Sequence, residues 1–244
     1  MTSDHFYIAR SRIDGDRLIL EGREHHHLSR VSRCRSGDVI WLFDELGMRY
    51  KARVGEVGSE ATTLAILERV RTEVRRTGIQ LGQALLKAKG MDLLVQKATE
   101  LGVAAVVPFV AARSVVKIGE RGEKKAERWT RIAREASKQS KSCLVPRIFP
   151  PQPLEEFLRN FDAPVKIVLS ENHGRPLREI VRSAESEPPE VALLLVGPEG
   201  GWTATEEKKI IGCGYEPVTL GRSILRAETA AMAAVSILSH FWNQ

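Results

Sequence analysis

The hydrophobic grammar of the chain changes once, around residues 70–78, and this change limits the fold more than any other feature. Over residues 1–72, short runs at 5–9, 17–20, 39–43, 50–57 and 62–67 alternate apolar and polar residues. A period of two gives each run one face for a core and one for water, so they read as strands. Turn-forming clusters separate them: Asp14-Gly15-Asp16, Ser36-Gly37-Asp38, Glu45-Leu46-Gly47 and Gly58-Ser59-Glu60. The spacing predicts meander hairpins forming a small β-barrel, interrupted by one short helix around residues 25–33.

From residue 78 onward, buried strands alternate with amphipathic helices, the pattern of an α/β layer structure with a mainly parallel sheet and helices on both faces. The strands expected are 79–85, 103–110, 165–169, 191–196 and 217–220. In one helix Met91, Leu94, Val95, Ala98 and Leu101 recur at three- and four-residue intervals, with Gly102 placed to cap its end. In another, Trp129, Ile132, Ala133 and Ala136 form the buried stripe. Residues 145–153 carry too many prolines for a helix interior and read as a crossing loop. An arginine-rich segment at 70–78 divides the chain into domains 1–72 and 73–244.

Neither segment lacks apolar material for a core, since hydrophobic residues make up 43% of the 244. The longest apolar stretches are far too short to cross a bilayer, and the start MTSDHFYIAR lacks an apolar signal core, so a cytoplasmic protein without membrane contact is expected. Cys34, Cys143 and Cys213 form no C-x-x-C pair, which points away from a disulfide framework and from zinc. His25, His26 and His27 are consecutive; on a helix they point roughly 100° apart and cannot converge on one ion, so surface or partly packed histidines and no metal site are expected.

Lysine and arginine exceed aspartate and glutamate by 37 to 31, a net charge of +6 that would attract polyanions. The surplus is concentrated. The helix at 123–141 carries Lys124, Lys125, Arg128, Arg131, Arg134, Lys138 and Lys141, and Arg23, Arg30, Arg33 and Arg35 surround the short helix of the first segment. Such faces can track phosphates, and a small barrel beside basic residues suits RNA.

The apolar run 191–196 leads directly into Gly197-Pro198-Glu199-Gly200-Gly201-Trp202. Glycines at the carboxyl end of a buried strand let backbone approach a ligand, at the edge where open α/β sheets bind ligands. Thr203 and Glu206 have capping-box spacing and should open a helix. A second strand, 217–220, ends in Gly221-Arg222-Ser223-Ile224-Leu225-Arg226-Ala227-Glu228-Thr229 before an alanine-rich helix in which small Ala230 and Ala231 permit close packing. No G-x-x-x-x-G-K-[ST] is present, and the first α/β turn, Leu86-Lys87-Ala88-Lys89-Gly90, is not a dinucleotide fingerprint. These residues alone leave open a Rossmann-type enzyme and a non-catalytic RNA-binding protein in which 197–201 is merely a turn.

Five stretches in order resemble the RsmE family of SPOUT methyltransferases: Met91 through Gly102, Arg113-Ser114-Val115-Val116-Lys117, Arg128-Trp129 through Glu135-Ala136-Ser137-Lys138-Gln139-Ser140, the glycine loop at 197–201, and Leu220-Gly221 through Thr229-Ala230. One position departs, Ala112, where an acidic residue is expected. The resemblance implies a PUA-like barrel followed by a SPOUT domain with a trefoil knot, a homodimer, and methylation of N3 of a uridine in 16S (small-subunit) ribosomal RNA from S-adenosyl-L-methionine. It implies a cofactor site of Leu169, Ser170, Gly197, Pro198, Glu199, Gly200, Leu220, Gly221, Ile224, Leu225, Thr229 and Ala230. Arg226 and Glu228 are the candidates for catalysis, and Arg23, Arg30, Arg33, Arg113, Arg128, Arg134 and Lys138 for RNA contact. Met232, Val235, Leu238, Phe241 and Trp242 offer the last helix an apolar surplus for a subunit interface.

Overall fold

The structure is a computed structural model and describes residues 5–72, 77–116, 122–171 and 173–243. The domain boundary read from the sequence, at 72/73, adjoins residues 73–76, which lie outside the described residues, as does Lys117. Two compact units are present: Met1–Val74 with Arg134–Val145, and Arg75–Ala133 with Pro146–Gln244.

The first unit contains β1 (His5–Tyr7), β2 (Ile13–Asp14), β3 (Arg17–Glu21), α1 (Gly22–His26) running on into a π-turn His27–Val31, β4 (Val39–Phe43), β5 (Met48–Val57) and β6 (Ala61–Arg71). They form a half-barrel sheet in the order β1-β4-β5-β6-β3-β2. The meander β4-β5-β6 is antiparallel, whereas β1 joins β4 in parallel. Alternation places Leu18, Leu20, Ile40, Leu42, Val54 and Leu64 in one core. The β4–β5 turn is built on Asp44, a fully buried carboxylate that accepts from the backbone amides of Leu46 and Met48 at 2.9 Å and from the Tyr50 hydroxyl at 2.7 Å. Burial first, and then Asp44, push the Tyr50 hydroxyl up to about 12. His25 is buried, with ring nitrogens 2.8 Å from the Thr62 hydroxyl and 3.3 Å from the Ser59 carbonyl, which ties α1 to the β5–β6 hairpin.

The second unit follows with β7 (Gly78–Ala84), α2 (Ala88–Leu101), β8 (Ala105–Val110), α3 (Gly122–Ser140), β9 (Arg147–Ile148), β10 (Gln152–Pro153), α4 (Leu154–Asn160), β11 (Val165–Leu169), β12 (Arg175–Pro176), α5 (Leu177–Ser183), β13 (Val191–Val196), α6 (Ala204–Gly212), β14 (Glu216–Thr219) and α7 (Ala227–Trp242). The last turns of α3, from Arg134, group with the first unit, although the sequence places them in the second segment. The sheet runs β10-β8-β7-β13-β11-β14-β12, with β9 beside β8, and every pair is parallel. The 145–153 stretch is therefore not wholly a loop: it carries two two-residue strands, too short to show any periodicity. Met91, Leu94, Val95 and Ala98 of α2 are buried, and Gly102 caps that helix in the left-handed conformation. Within α7, Val235, Leu238 and Trp242 are fully buried inside the unit, so the apolar surplus offered by the sequence for a subunit interface shrinks to half-buried Met232 and exposed Phe241. Among the described residues no helix is long and apolar enough to cross a membrane.

Candidate active site

Three neighbouring parallel strands, β13, β11 and β14, end at the same edge of the sheet. The segments that follow them surround a cavity of about 640 Å³.

The loop after β13 is held by side chains from elsewhere in the unit. Trp202 folds back beneath Gly197, where an added Cβ would lie 2.9 Å from the ring. Its indole nitrogen donates to the Leu169 carbonyl at 3.1 Å, and the ring stacks on Phe109 at 6.0 Å between centroids. Arg113 reaches across the loop and donates to the carbonyls of Gly200 at 3.0 Å and Trp202 at 3.2 Å. A Cβ on Gly200 would lie 3.2 Å from the Arg113 Cβ, a tight contact that would make the clamp give by a few tenths of an ångström. The capping box forms as its spacing predicts: the Thr203 amide donates to Glu206 at 3.0 Å, and the Glu206 amide to the Thr203 hydroxyl at 3.2 Å. The other oxygen of Glu206 accepts from the Ala112 amide at 2.7 Å. That contact uses backbone, so a small residue at 112 preserves it.

Of the expected cofactor residues, Leu169, Ser170, Gly197, Pro198, Glu199, Gly200, Leu220, Gly221, Ile224, Leu225 and Ala230 line the cavity; Thr229 does not, and is exposed. Arg226 and Glu228 are also on its wall, Arg226 as the exposed N-cap of α7. Among the ion pairs of the described residues, none joins these two. Lys87, Glu171, Trp202 and Glu207 also line it and were not among the expected site residues. Lys87 and Glu171 had a usable signal, their positions just beyond a strand's carboxyl end.

The basic residues divide. Arg23, Arg30 and Arg33 are exposed. Arg128 is forked onto Asp92, and Arg134 stacks on Tyr7 at 4.4 Å from the ring centroid. Lys138 has a side chain only 7% exposed, held at 2.8 Å by both Glu24 and Glu135. Burial works against its charge, but the two carboxylates outweigh that and hold its pKa above the ordinary lysine value. Lys138 is thus no surface phosphate contact, and Arg113 is a clamp on the glycine loop at the cavity wall.

The cavity suits S-adenosyl methionine on three counts. Its volume lies within the ~300–1,000 Å³ range of small-molecule sites. Gly197, Gly200 and Gly221 expose main-chain groups along it, and the four carboxylates on its wall, Glu171, Glu199, Glu207 and Glu228, outnumber its three cations, Lys87, Arg113 and Arg226, which suits a ligand of net positive charge.

Residues 73–239 match the model of the RNA methyltransferase domain family. The ribosomal RNA small subunit methyltransferase E of Bacillus subtilis is 34% identical over 228 residues, covering 91% of this chain and 89% of that protein. The chain belongs to this family. A second family member, from Aquifex aeolicus, is 32% identical and covers 93% and 96% of the two chains. Among solved structures, the family enzyme of Neisseria gonorrhoeae bound to S-adenosyl methionine is 32% identical with a TM-score of 0.87, covering 98% of each chain. A Legionella pneumophila putative methyltransferase in complex with the same cofactor is 28% identical with a TM-score of 0.87, again over 98% of each.

Proposed function

We propose that this protein transfers a methyl group from S-adenosyl methionine to N3 of a uridine in the 16S RNA of the small ribosomal subunit. The observation that carries this reading is the cavity at the ends of β13, β11 and β14, cradled by glycine-bearing loops and bordered by Arg226 and Glu228. The names of the relatives and the cofactor bound in two similar structures support it.

When bound, the cofactor supplies an already electrophilic methyl group. The task left to the chain is to orient the base and help N3 lose its proton, because neutral uridine is a poor nucleophile. Arg226, exposed and not ion-paired to Glu228, stabilises the imide anion; Glu228 orients the base or accepts the proton. The first unit positions the RNA through Arg23, Arg30 and Arg33, and the second binds cofactor. The protein works in the cytoplasm as a homodimer, to which exposed Phe241 of α7 contributes; sedimentation at micromolar concentration should give twice the monomer mass.

Calorimetry with S-adenosyl methionine, paired with nucleoside analysis of small-subunit RNA from a deletion strain, tests the reading. Binding heat and loss of one 3-methyluridine are expected. A protein without cofactor heat would be an RNA-binding module instead.

A further inference from the structure

We propose that the first unit seats one phosphodiester of the RNA, with its nucleotide, in a pocket of its own between α1, the π-turn after it and the last turns of α3. The proposal rests on the RNA methyltransferase reading and adds a site to it. The pocket is a cavity of about 270 Å³ whose wall includes Arg23, His27, Gln139 and Lys141 together with the Lys138 cluster.

Its electrostatics favour an anion. Glu24 and Glu135 both lie on this wall, yet both are turned to the buried ammonium of Lys138 at 2.8 Å, and Glu24 also accepts from the Tyr7 backbone amide at 3.2 Å. The three charges together leave −1, against +2 from Arg23 and Lys141. Among the described residues, no ion pair engages either of these two cations, and both are exposed. Lys138 is therefore a positioning residue. It cancels carboxylate charge and holds the end of α3 against α1, while Arg23 and Lys141 remain for the ligand. A guanidinium beside an ammonium is a phosphate-binding combination.

Two further groups point to a nucleotide rather than a bare ion. The Nδ1 of His27 is buried with no hydrogen-bond partner among the described residues, and packing on Phe6 at 5.2 Å between centroids holds its ring. Gln139 adds an exposed amide able to donate and accept along a base or ribose edge. The segment Glu135-Ala136-Ser137-Lys138-Gln139-Ser140 is one of the stretches that carries the family resemblance, yet none of its residues lines the cofactor cavity. The pocket gives this segment a role.

The test measures four properties of the doubly substituted Arg23→Gln, Lys141→Gln protein, and of Gln139→Ala: affinity for transcribed small-subunit RNA across a salt series, KM for that RNA in 3-methyluridine formation, affinity for S-adenosyl methionine, and the melting curve. Both altered cations are exposed, so the fold should hold. In the double variant RNA affinity should fall about tenfold and the logarithmic salt slope should flatten by about 0.7, the value for one phosphate on a single strand. Gln139→Ala should raise the KM for RNA, and neither protein should bind cofactor more weakly. Inorganic phosphate at fixed ionic strength should compete only weakly; strong competition would make this a free-anion site and overturn the proposal. Unchanged RNA affinity and salt slope in a normally melting double variant would also overturn it. If the unaltered protein forms no 3-methyluridine, the function reading fails; if it does and the variants match it in KM for RNA, only the pocket fails.

Discussion

The indole nitrogen of Trp202 donates to the main-chain carbonyl of Leu169 at 3.1 Å, fastening the loop after β13 to the end of its neighbour β11. Cofactor affinity should depend on this bond because both ends of it lie on the cavity wall. Trp202→Phe keeps an aromatic ring beside Phe109 and removes the donor together with the second ring of the indole. It should weaken cofactor binding about fivefold, the equivalent of ~1 kcal/mol for one hydrogen bond. Unchanged calorimetric affinity would mean that the loop holds its shape without the bond.

Gly200 and Arg113 form a second fastening. A side chain on Gly200 meets Arg113 at 3.2 Å, and Arg113 holds the carbonyls of Gly200 and Trp202. Gly200→Val should abolish cofactor binding while the protein still folds, and Arg113→Ala should reduce cofactor affinity more than RNA affinity. If Arg113→Ala lowers RNA affinity alone, its role is the RNA contact expected from sequence.

Arg226→Ala isolates the chemical step. Removing one group that stabilises developing negative charge costs ~10²-fold or more in turnover. Turnover at saturating RNA and cofactor should fall on that order, with both affinities nearly unchanged. Raising the pH should restore part of the rate, because solvent then supplies the imide anion. A variant that loses only melting temperature would make Arg226 scaffolding.

The parts of this molecule legible in sequence are those written by neighbours along the chain. The capping box at Thr203 and Glu206 and the buried strand Val191–Val196 each lie within a few residues, and both form as read. Lys138 was misread as part of a basic stripe because the carboxylate that helps bury it, Glu24, lies 114 residues away. Trp202 was missed for the same reason, its acceptor being 33 residues distant. The helix period shows that α3 has an apolar face but not what covers it, and so the sequence reads residues 134–145 with the second segment whereas in space they group with the first unit. A knot leaves no periodic trace at all, so only the family resemblance could imply one.

Tyr50 and Asp44 predict how stability responds to alkali. Burial and the Asp44 carboxylate raise the hydroxyl to about 12 from the ordinary value of 10.0. A raised folded-state value means that this contribution is complete below the unfolded value and is lost as the pH climbs from about 10 through about 12. Tyr50→Phe should remove that part of the alkaline limb. It should also cost ~1–3 kcal/mol at neutral pH, because buried Asp44 loses a donor. Identical alkaline unfolding of the two proteins would contradict the assignment.

The most direct test of the account is transfer of labelled methyl by the purified protein to small-subunit RNA, free or assembled, from cells lacking it, followed by nucleoside mass spectrometry. Label recovered as 3-methyluridine at a single position, and lost with Arg226→Ala, is the expected result. Label on any other base, or none with either form of the RNA while the cofactor binds normally, would contradict it.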